Sequence, residues 1–479
     1  MTDAIRVMPD SYEAESHFYP RVLNAHPHPV VKFFRSLGNE RLAERYCHLR
    51  PEVDRQDVLN LLSAVPKHFR WAGCDLFVAT NEQGVRRCVV VETNSSPSGQ
   101  KSMPFDDEQP QAGYRRLLET SFIPMLRRRN LPAGSLAVLC DKNPMETKGY
   151  AAVLADLVGE PVYWVSWKAE DPDPPARLID GVLHVRDGSD ESAPWKPIRA
   201  AFKYITQKPW MRLPPVTKTL IYNSTLVCLA GGRNKLLAAK AYDLMNGDLR
   251  ESGMAIEVPE TIWDVGKAEV PIWLKHMGGV AVVKVPYSNA GQGVYTITNE
   301  RELDAFMAIE HDYDLFIVQG LVGNAAWSSQ TRSGRLFHVG TVPNRRNQIF
   351  AADLRFMLGA GPDGFFPLSI YARRAREPLA QHVDSGQDSW AMLGTNLSVK
   401  QADGSWATEP ERLLLMDTKD FNKLGIGLDD LLEGYMQTVM AVTAIDRMCQ
   451  KLLTKKNVFR KNMFQTMNPD QTLTDEICQ

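Results

Sequence analysis

The chain has 479 residues, 44% of them hydrophobic and 23% charged, with a formal net charge of −2. That length exceeds what one core commonly serves, so two or three interlocked subdomains are expected, and the near balance of charge excludes a role based on bulk attraction to nucleic acid or a membrane surface. No apolar run approaches the roughly 18 residues of a membrane span, the N-terminus lacks a basic-then-apolar leader, and the seven cysteines, Cys47, Cys74, Cys88, Cys140, Cys228, Cys449 and Cys478, form no CxxC pair. A soluble, cytoplasmic protein with reduced thiols is expected, without a disulfide framework or zinc site.

Residues 1 to about 70 read as mostly helical, the helices serving for packing, with Val30, Val31, Phe33, Phe34 and Leu37 recurring on one face and Val58, Leu59, Leu61, Leu62 and Val65 on another. His26 and His28, each beside a proline, read as turn residues rather than metal ligands. Asp75 to Ala79 then reads as a strand, Asn81 to Gly84 as a hairpin turn and Val89 to Asn94 as the return strand. Such a hairpin places Asp75 and Glu92 near its open end and projects Glu92 and Asn94 from one face. Two carboxylates and an amide carbonyl there form a hard-oxygen set suited to Mg²⁺, with phosphates and water completing the shell. The same residues also fit a surface hairpin whose acids only solvate its edge. Pro97, Ser98 and Gly99 turn the chain, and Lys101 follows.

From Leu136 the pattern alternates. Leu136 to Cys140 reads as a strand, 148–158 as a helix and Val162 to Val165 as a strand, a βαβ unit with no GxGxxG and hence no dinucleotide site. Residues 169–197 read as hairpin and loop, Leu220 to Leu229 as a strand, and Arg233-Asn234-Lys235 as the start of a helix passing Lys240 and Tyr242. After a short helix at 269–276 comes the stretch around which the chain is organised, Gly279 to Ile297. A β-branched run carries Lys284 at its end, a tip holds Ser288, Gly291, Gln292 and Gly293, and Val294 opens the return strand. A lysine in an apolar strand is costly unless it meets an anion, and tip glycines let backbone N–H groups close on one; nucleotide phosphates are the natural partner. An ordinary hairpin with a snorkelling lysine is the alternative.

A helix is expected at 300–309, then a strand from Leu315 to Gln319 followed by Gly320, Leu321 and Val322, which either offers backbone groups to an adenine ring or is plain core. Residues 353–358 and 367–373 read as strands bearing Arg355 and Arg373, each able to clamp carboxylate or phosphate, or to form an ordinary salt bridge. Gly394 to Lys400 is a polar loop; beyond Leu431 the pattern is helical, with Lys451, Lys455 and Lys456 on a solvated face.

Taken together these residues resemble an ATP-grasp ligase over most of 72–400. Val282 to Gly293 resembles the family's phosphate hairpin, Lys235 its first nucleotide lysine, Ile317 to Val322 its adenine hinge, and Asp75, Glu92, Asn94, Pro97 and Gly99 its magnesium signature. The Glu-x-Asn element here precedes the nucleotide hairpin by about 190 residues. That order is similar to circularly permuted members such as eukaryotic glutathione synthetase, glutathionylspermidine synthase and the bacterial permuted proteins.

The resemblance implies an α/β, circularly permuted ATP-grasp fold with an inserted βαβ lobe. Its parts would be 1–130 (N-terminal helices and the metal-binding half), 131–230 (the inserted lobe), 231–325 (the nucleotide lobe) and 326–479 (the remaining sheet and C-terminal helices). It further implies an ADP-forming ligase joining a small carboxylate to an amine, on an amino acid or short peptide, through an acylphosphate. ATP and Mg²⁺ would be the cofactors, with no nucleic-acid or membrane partner and a homodimer as the commonest assembly. Mg²⁺ would sit on Asp75, Glu92 and Asn94, with a further acid from Asp353 or Asp417. The phosphates would sit on Lys235, Lys284 and the tip residues Ser288, Gly291, Gln292 and Gly293, and the adenine on Gln319, Gly320, Leu321 and Val322. Gln319 stands where many members have Glu. Lys284 and Arg355 would act on the transferring phosphoryl and Arg373 on the acid, with Tyr287, Trp327, Arg332, Arg335 and Ser98 to Lys101 lining the pocket. An ATP-dependent phosphotransferase and a non-catalytic nucleotide-binding scaffold remain alternatives.

Overall fold

A computed structural model describes residues 4–104, 111–128, 131–188, 192–288, 291–383, 387–400 and 406–478. The described residues form a mixed α/β structure with four sheets. The first is built on β4 (Ser135–Cys140), whose neighbours β5 (Val162–Ser166) and β8 (Trp195–Tyr204) both run parallel to it. Successive side chains of β4 point to opposite faces, so Leu136 and Val138 enter one core, shared with the helix Pro144–Val158, while Ala137 and Leu139 enter another. β9 (Leu220–Tyr222) extends this sheet beside β8, and the hairpin of β6 (Ala176–Ile179) and β7 (Val182–Arg186) continues it through β7.

Two sequence expectations change here, and one strand is added. The far edge is β1 (Ala4–Val7), antiparallel to β5, ahead of a first segment that is otherwise helical as expected. The strand expected over 220–229 stops at Tyr222, because Asn223 takes a left-handed φ of 58° and donates from Nδ2 to the Trp71 carbonyl; helical turns follow from Thr225. Lys455 and Lys456 lie in a turn beyond the helix Leu428–Lys451, not on its face.

The second sheet carries the acidic hairpin, β2 (Trp71–Asn81) with β3 (Arg86–Ser95), and the arginine hairpin, β15 (Ala352–Gly361) with β16 (Gly364–Arg374). β2 lies between β3 and β15; β14 (Leu336–His338) also pairs β2 beyond Phe77, and β19 (Leu413–Leu414) pairs β16. The helix Leu428–Lys451 packs across this sheet with most of its residues buried, and the helix Lys235–Leu249 packs against it, forming the largest core. The third sheet, ordered β10-β13-β11-β12, comprises β10 (Thr261–Gly266), β11 (Ala281–Lys284), β12 (Val294–Ile297) and β13 (Leu315–Gln319), all antiparallel neighbours. A short pair, β17 (Ser398–Lys400) and β18 (Trp406–Thr408), forms the fourth. No helix among the described residues is long and apolar enough to cross a membrane, and Cys47, Cys74, Cys88, Cys140, Cys228 and Cys449 are free thiols.

Candidate functional site

The three larger sheets and the loops between them enclose a cavity of about 430 Å³. The third sheet supplies one wall. Lys284 ends β11 and is held inside rather than reaching out to solvent: its Nζ donates to Gln319 Oε1 at 2.6 Å and to the Val91 carbonyl at 3.2 Å. Burial draws this ammonium down to about 8 despite the nearby Glu92. Val91 is available because β2 and β3 slip register between Asp75 and Leu76: Asp75 faces Glu92 and Leu76 faces Val90, leaving Val91 as the bulged residue.

Lys235 is the first residue of its helix, which Asn234 caps by accepting from Leu237 N–H. Its Nζ donates to Ser288 Oγ at 3.0 Å and to the Ser288 carbonyl at 3.2 Å, and lies 3.5 Å from Glu92. This lysine therefore ties the hairpin tip to the acidic strand. The tip needs glycine. Gly291 and Gly293 have φ of 78° and 63°, and a Cβ on Gly293 would lie 2.3 Å from Val285 Cγ2. A Cβ on Gly291 would lie 2.6 Å from Asn396 Nδ2, so the tip rests against the segment carrying Trp390 and Asn396.

The second sheet supplies the opposite wall. Arg355, directly across from Asp75, donates from Nε and Nη2 to both its carboxylate oxygens, each at 2.5 Å. Arg373 Nη2 adds a contact to Asp75 at 2.9 Å, while its Nε and Nη2 also hold Asp353. Burial would raise the Asp75 carboxyl, but the two guanidinium groups outweigh it and hold it well below the usual carboxylate range.

Of the residues expected to hold Mg²⁺ (Asp75, Glu92, Asn94), the phosphates, the adenine and the reacting groups, all but Gln292 and Gly293 line this cavity. Their surroundings differ from expectation in several places. Both oxygens of Asp75 face guanidinium groups rather than an open cation position, and Asp353 is likewise taken by Arg373. Asp417 lies outside the cavity, accepting from the Lys419 and Asp420 N–H groups. The hinge N–H groups of Gly320 and Leu321 already donate to the Glu260 carbonyl and Ser329 Oγ. Tyr287, Trp327, Arg332 and Arg335 do not reach the cavity, whereas Ser98 and Lys101 do; Asn289 and Ala290 of the expected tip lie outside the described residues.

Among the described residues no group of three or more His, Cys, Asp or Glu side chains could hold a metal ion. Magnesium, however, takes only one or two protein oxygens when phosphates and water supply the rest. Glu92, half-buried at the cavity, fits that part. Asn94 Oδ1 sits beside it on the same strand face, accepting from Arg233 at 3.3 Å. Asp75 does not fit without breaking its ion pairs.

Sequence reasoning passed over several lining residues: Lys142 and Asn143, Arg233 as a cavity cation, His338 and Trp390. Lys142 and Asn143 follow the carboxyl end of the central parallel strand, where open α/β sheets form crevices, and that position was the available signal. Glu146, fully buried in the next helical turn, accepts from Ser98 Oγ and from the Gly99 and Gln100 N–H groups at 2.9–3.1 Å, pinning the 96–101 turn to this loop. In all, the described cavity lining bears Lys101, Lys142, Arg233, Lys235, Lys284, Arg355 and Arg373 against Asp75, Glu92 and Asp353.

No protein-family model and no curated protein sequence matches the chain. Solved structures do match. The chain is similar to ATP-grasp structures. A RimK-domain ATP-grasp protein from Sphaerobacter thermophilus is 13% identical over 49% of this chain and 90% of its own, with a TM-score of 0.29. A glutathione synthetase-like effector from Globodera pallida is 9% identical over 73% and 86%, with a TM-score of 0.38. D-alanine–D-alanine ligase from Coxiella burnetii is 11% identical over 67% and 96%, with a TM-score of 0.22.

Proposed function

We propose that the protein is an ATP-dependent, ADP-forming ligase that joins a small carboxylic acid to an amine through an acylphosphate, within a circularly permuted ATP-grasp arrangement. The observation that carries this reading is the convergence of Lys235, Lys284 and the hairpin tip with Glu92 and the Arg355–Arg373 pair on one cavity. Phosphoryl transfer to a carboxylate brings two anions together, so its main requirement is fixed positive charge.

Each part has a place in that chemistry. Lys284 and Lys235 hold the phosphates from the hairpin side. Arg355 and Arg373 are each gripped along the Nε–Nη2 edge by a carboxylate, which fixes the guanidinium planes and leaves Nη1 for an anion. Asp75 is then the residue that orients Arg355. Bound magnesium would supply neutralisation of phosphate charge, with Glu92 and Asn94 Oδ1 as its protein oxygens. An oxygen of the acid attacks the γ-phosphorus as the bond to the β-phosphate oxygen breaks and ADP leaves. The amine nitrogen then attacks the acyl carbon, the acyl–oxygen bond breaks with release of phosphate, and the nitrogen loses a proton. Closure of the tip excludes water from the acylphosphate.

The test is ADP release from Mg·ATP with pools of amino acids and small carboxylic acids. Release should require both an acid and an amine and fall by about 10²-fold or more in Glu92→Gln and Lys284→Ala. ADP release with a hydroxyl compound alone would replace the ligase with a phosphotransferase, and failure to bind Mg·ATP would overturn the reading.

A further inference from the structure

Lys142 is a cavity-lining lysine whose ammonium makes no hydrogen bond or ion pair among the described residues. Its sequence neighbour Asp141 does not serve it: that carboxylate accepts from the Thr206 and Gln207 N–H groups and faces Arg212. The loop that carries Lys142 is nonetheless fixed. Asn143 sits at a left-handed φ of 63°, and its Nδ2 donates to Ser98 Oγ, Glu146 and the Tyr204 hydroxyl at 3.0–3.1 Å.

Two further cations face the same region. Lys101 donates to the Asn143 amide oxygen, and Arg233 donates to Asn94 Oδ1 and to the Ser95 and Ser96 carbonyls. Glu146, in the helix that follows this loop, is engaged by Ser98, Gly99, Gln100 and Asn143. Lys142 keeps access to solvent, yet the protein around it, then the repulsion of Arg233, with Arg355 and Lys101 adding to it against Asp141, lowers its ammonium from the usual lysine value. An anion placed here would relieve that repulsion.

The cations come from different elements. Lys284 ends β11 of the third sheet, with Glu92, Lys235 and Asp75 as charged neighbours, whereas Lys142 follows β4 of the first sheet, with Arg233, Arg355 and Lys101 as cationic neighbours and Asp141 as an anionic one; Arg233, bonded to Asn94, stands between them. Nucleotide phosphates on Lys235 and Lys284 therefore leave the Lys142 ammonium unpaired.

We propose that Lys142, with Lys101 and Arg233, forms a subsite for a second carboxylate on the acid substrate, so that the substrate class is a dicarboxylic acid. One carboxylate reacts beside Arg355 and the other is held by Lys142. This deepens the ligase reading and rests on it for placing the phosphates on Lys235 and Lys284.

The test compares glutarate with pentanoate, which has the same carbon count and one carboxylate fewer, by calorimetric titration of the full chain at pH 7. Wild type, Lys142→Ala and Lys142→Arg are each checked for an unchanged melting temperature. Glutarate should bind the wild type at least about tenfold more tightly than pentanoate. Lys142→Ala should erase that preference, Lys142→Arg should restore it, and Mg·ATP affinity should stay within about twofold throughout. Equal binding of the two acids, no glutarate binding up to about 10 mM, or a preference that survives Lys142→Ala would overturn the subsite. A preserved glutarate preference without any Mg·ATP binding would instead overturn the nucleotide reading and leave the anion site standing.

Discussion

Lys284 works against its own burial. Its ammonium ordinarily titrates near 10.5, and desolvation brings it to about 8 in the folded chain, with Lys235 adding to the shift and Glu92 and Asp75 opposing it. A phosphate beside it would push the pKa back up, so nucleotide binding above pH 8 should take up a proton and weaken as pH rises. Titrating Mg·ADP at pH 8.5 in two buffers of different ionisation enthalpy should show uptake of part of a proton by the wild type and a smaller uptake in Lys284→Arg. His338 is the acid-side counterpart. Burial holds its imidazole neutral down to about 4, beside Phe77, whereas the unfolded chain protonates it near 6.5. Because the folded pKa is the lower one, this residue's share of stability is present above pH 6.5 and is lost as pH falls toward 4. It amounts to about 2 kcal/mol between pH 7 and pH 5. Unfolding free energies from urea titrations at those two pH values should differ less in His338→Leu than in the wild type by that amount.

At the level of elements, the cross-strand ladder Arg373–Asp353 and Arg355–Asp75 stitches β16, β15 and β2 face to face. Asp75→Asn would leave two buried guanidinium groups short of charge, and the expected cost is about 3–5 kcal/mol in urea unfolding, without added metal. An unchanged stability with altered magnesium dependence would return Asp75 to the role of metal ligand. The acidic hairpin and the hairpin carrying Lys284 were legible as β-rich runs around a turn, the arginine-bearing strands only as two strands, and all of them form. Their partners were not. That Asp75 faces Arg355 depends on two strands pairing 280 residues apart, and no local pattern carries that register. The bulge at Val91, which gives Lys284 its carbonyl partner, and the left-handed Asn223, which ends a strand that its apolar run would continue, are set by tertiary contacts in the same way. Lys142 escaped notice because one lysine in a loop has no periodicity; its place just after β4 was the one cue the sequence held.

For the whole molecule, the cavity is a junction rather than a pocket within one layer. The first sheet brings Lys142, the third brings Lys284, and the second brings the ladder between them. Its lining is drawn from residues 19 to 408, and all three of its acids, Asp75, Glu92 and Asp353, come from the second sheet.

The placing of β2 between β3 and β15 bears on how the chain is made. When β2 and β3 leave the ribosome, the strand that will cover the other edge of β2 is still 280 residues from Asp75. At ~5–20 residues per second that delay is roughly 15–60 s. During it β2 offers an open row of backbone donors and acceptors, the kind of edge that recruits other chains, and the helix Leu428–Lys451 that seals its face is made later still. Asp75 spends that interval in water, where it needs no partner; the arginines that fix it arrive as the edge is closed. Synthesis thus has one vulnerable stretch of time, and the strand pairing that ends it also completes the ladder through the cavity.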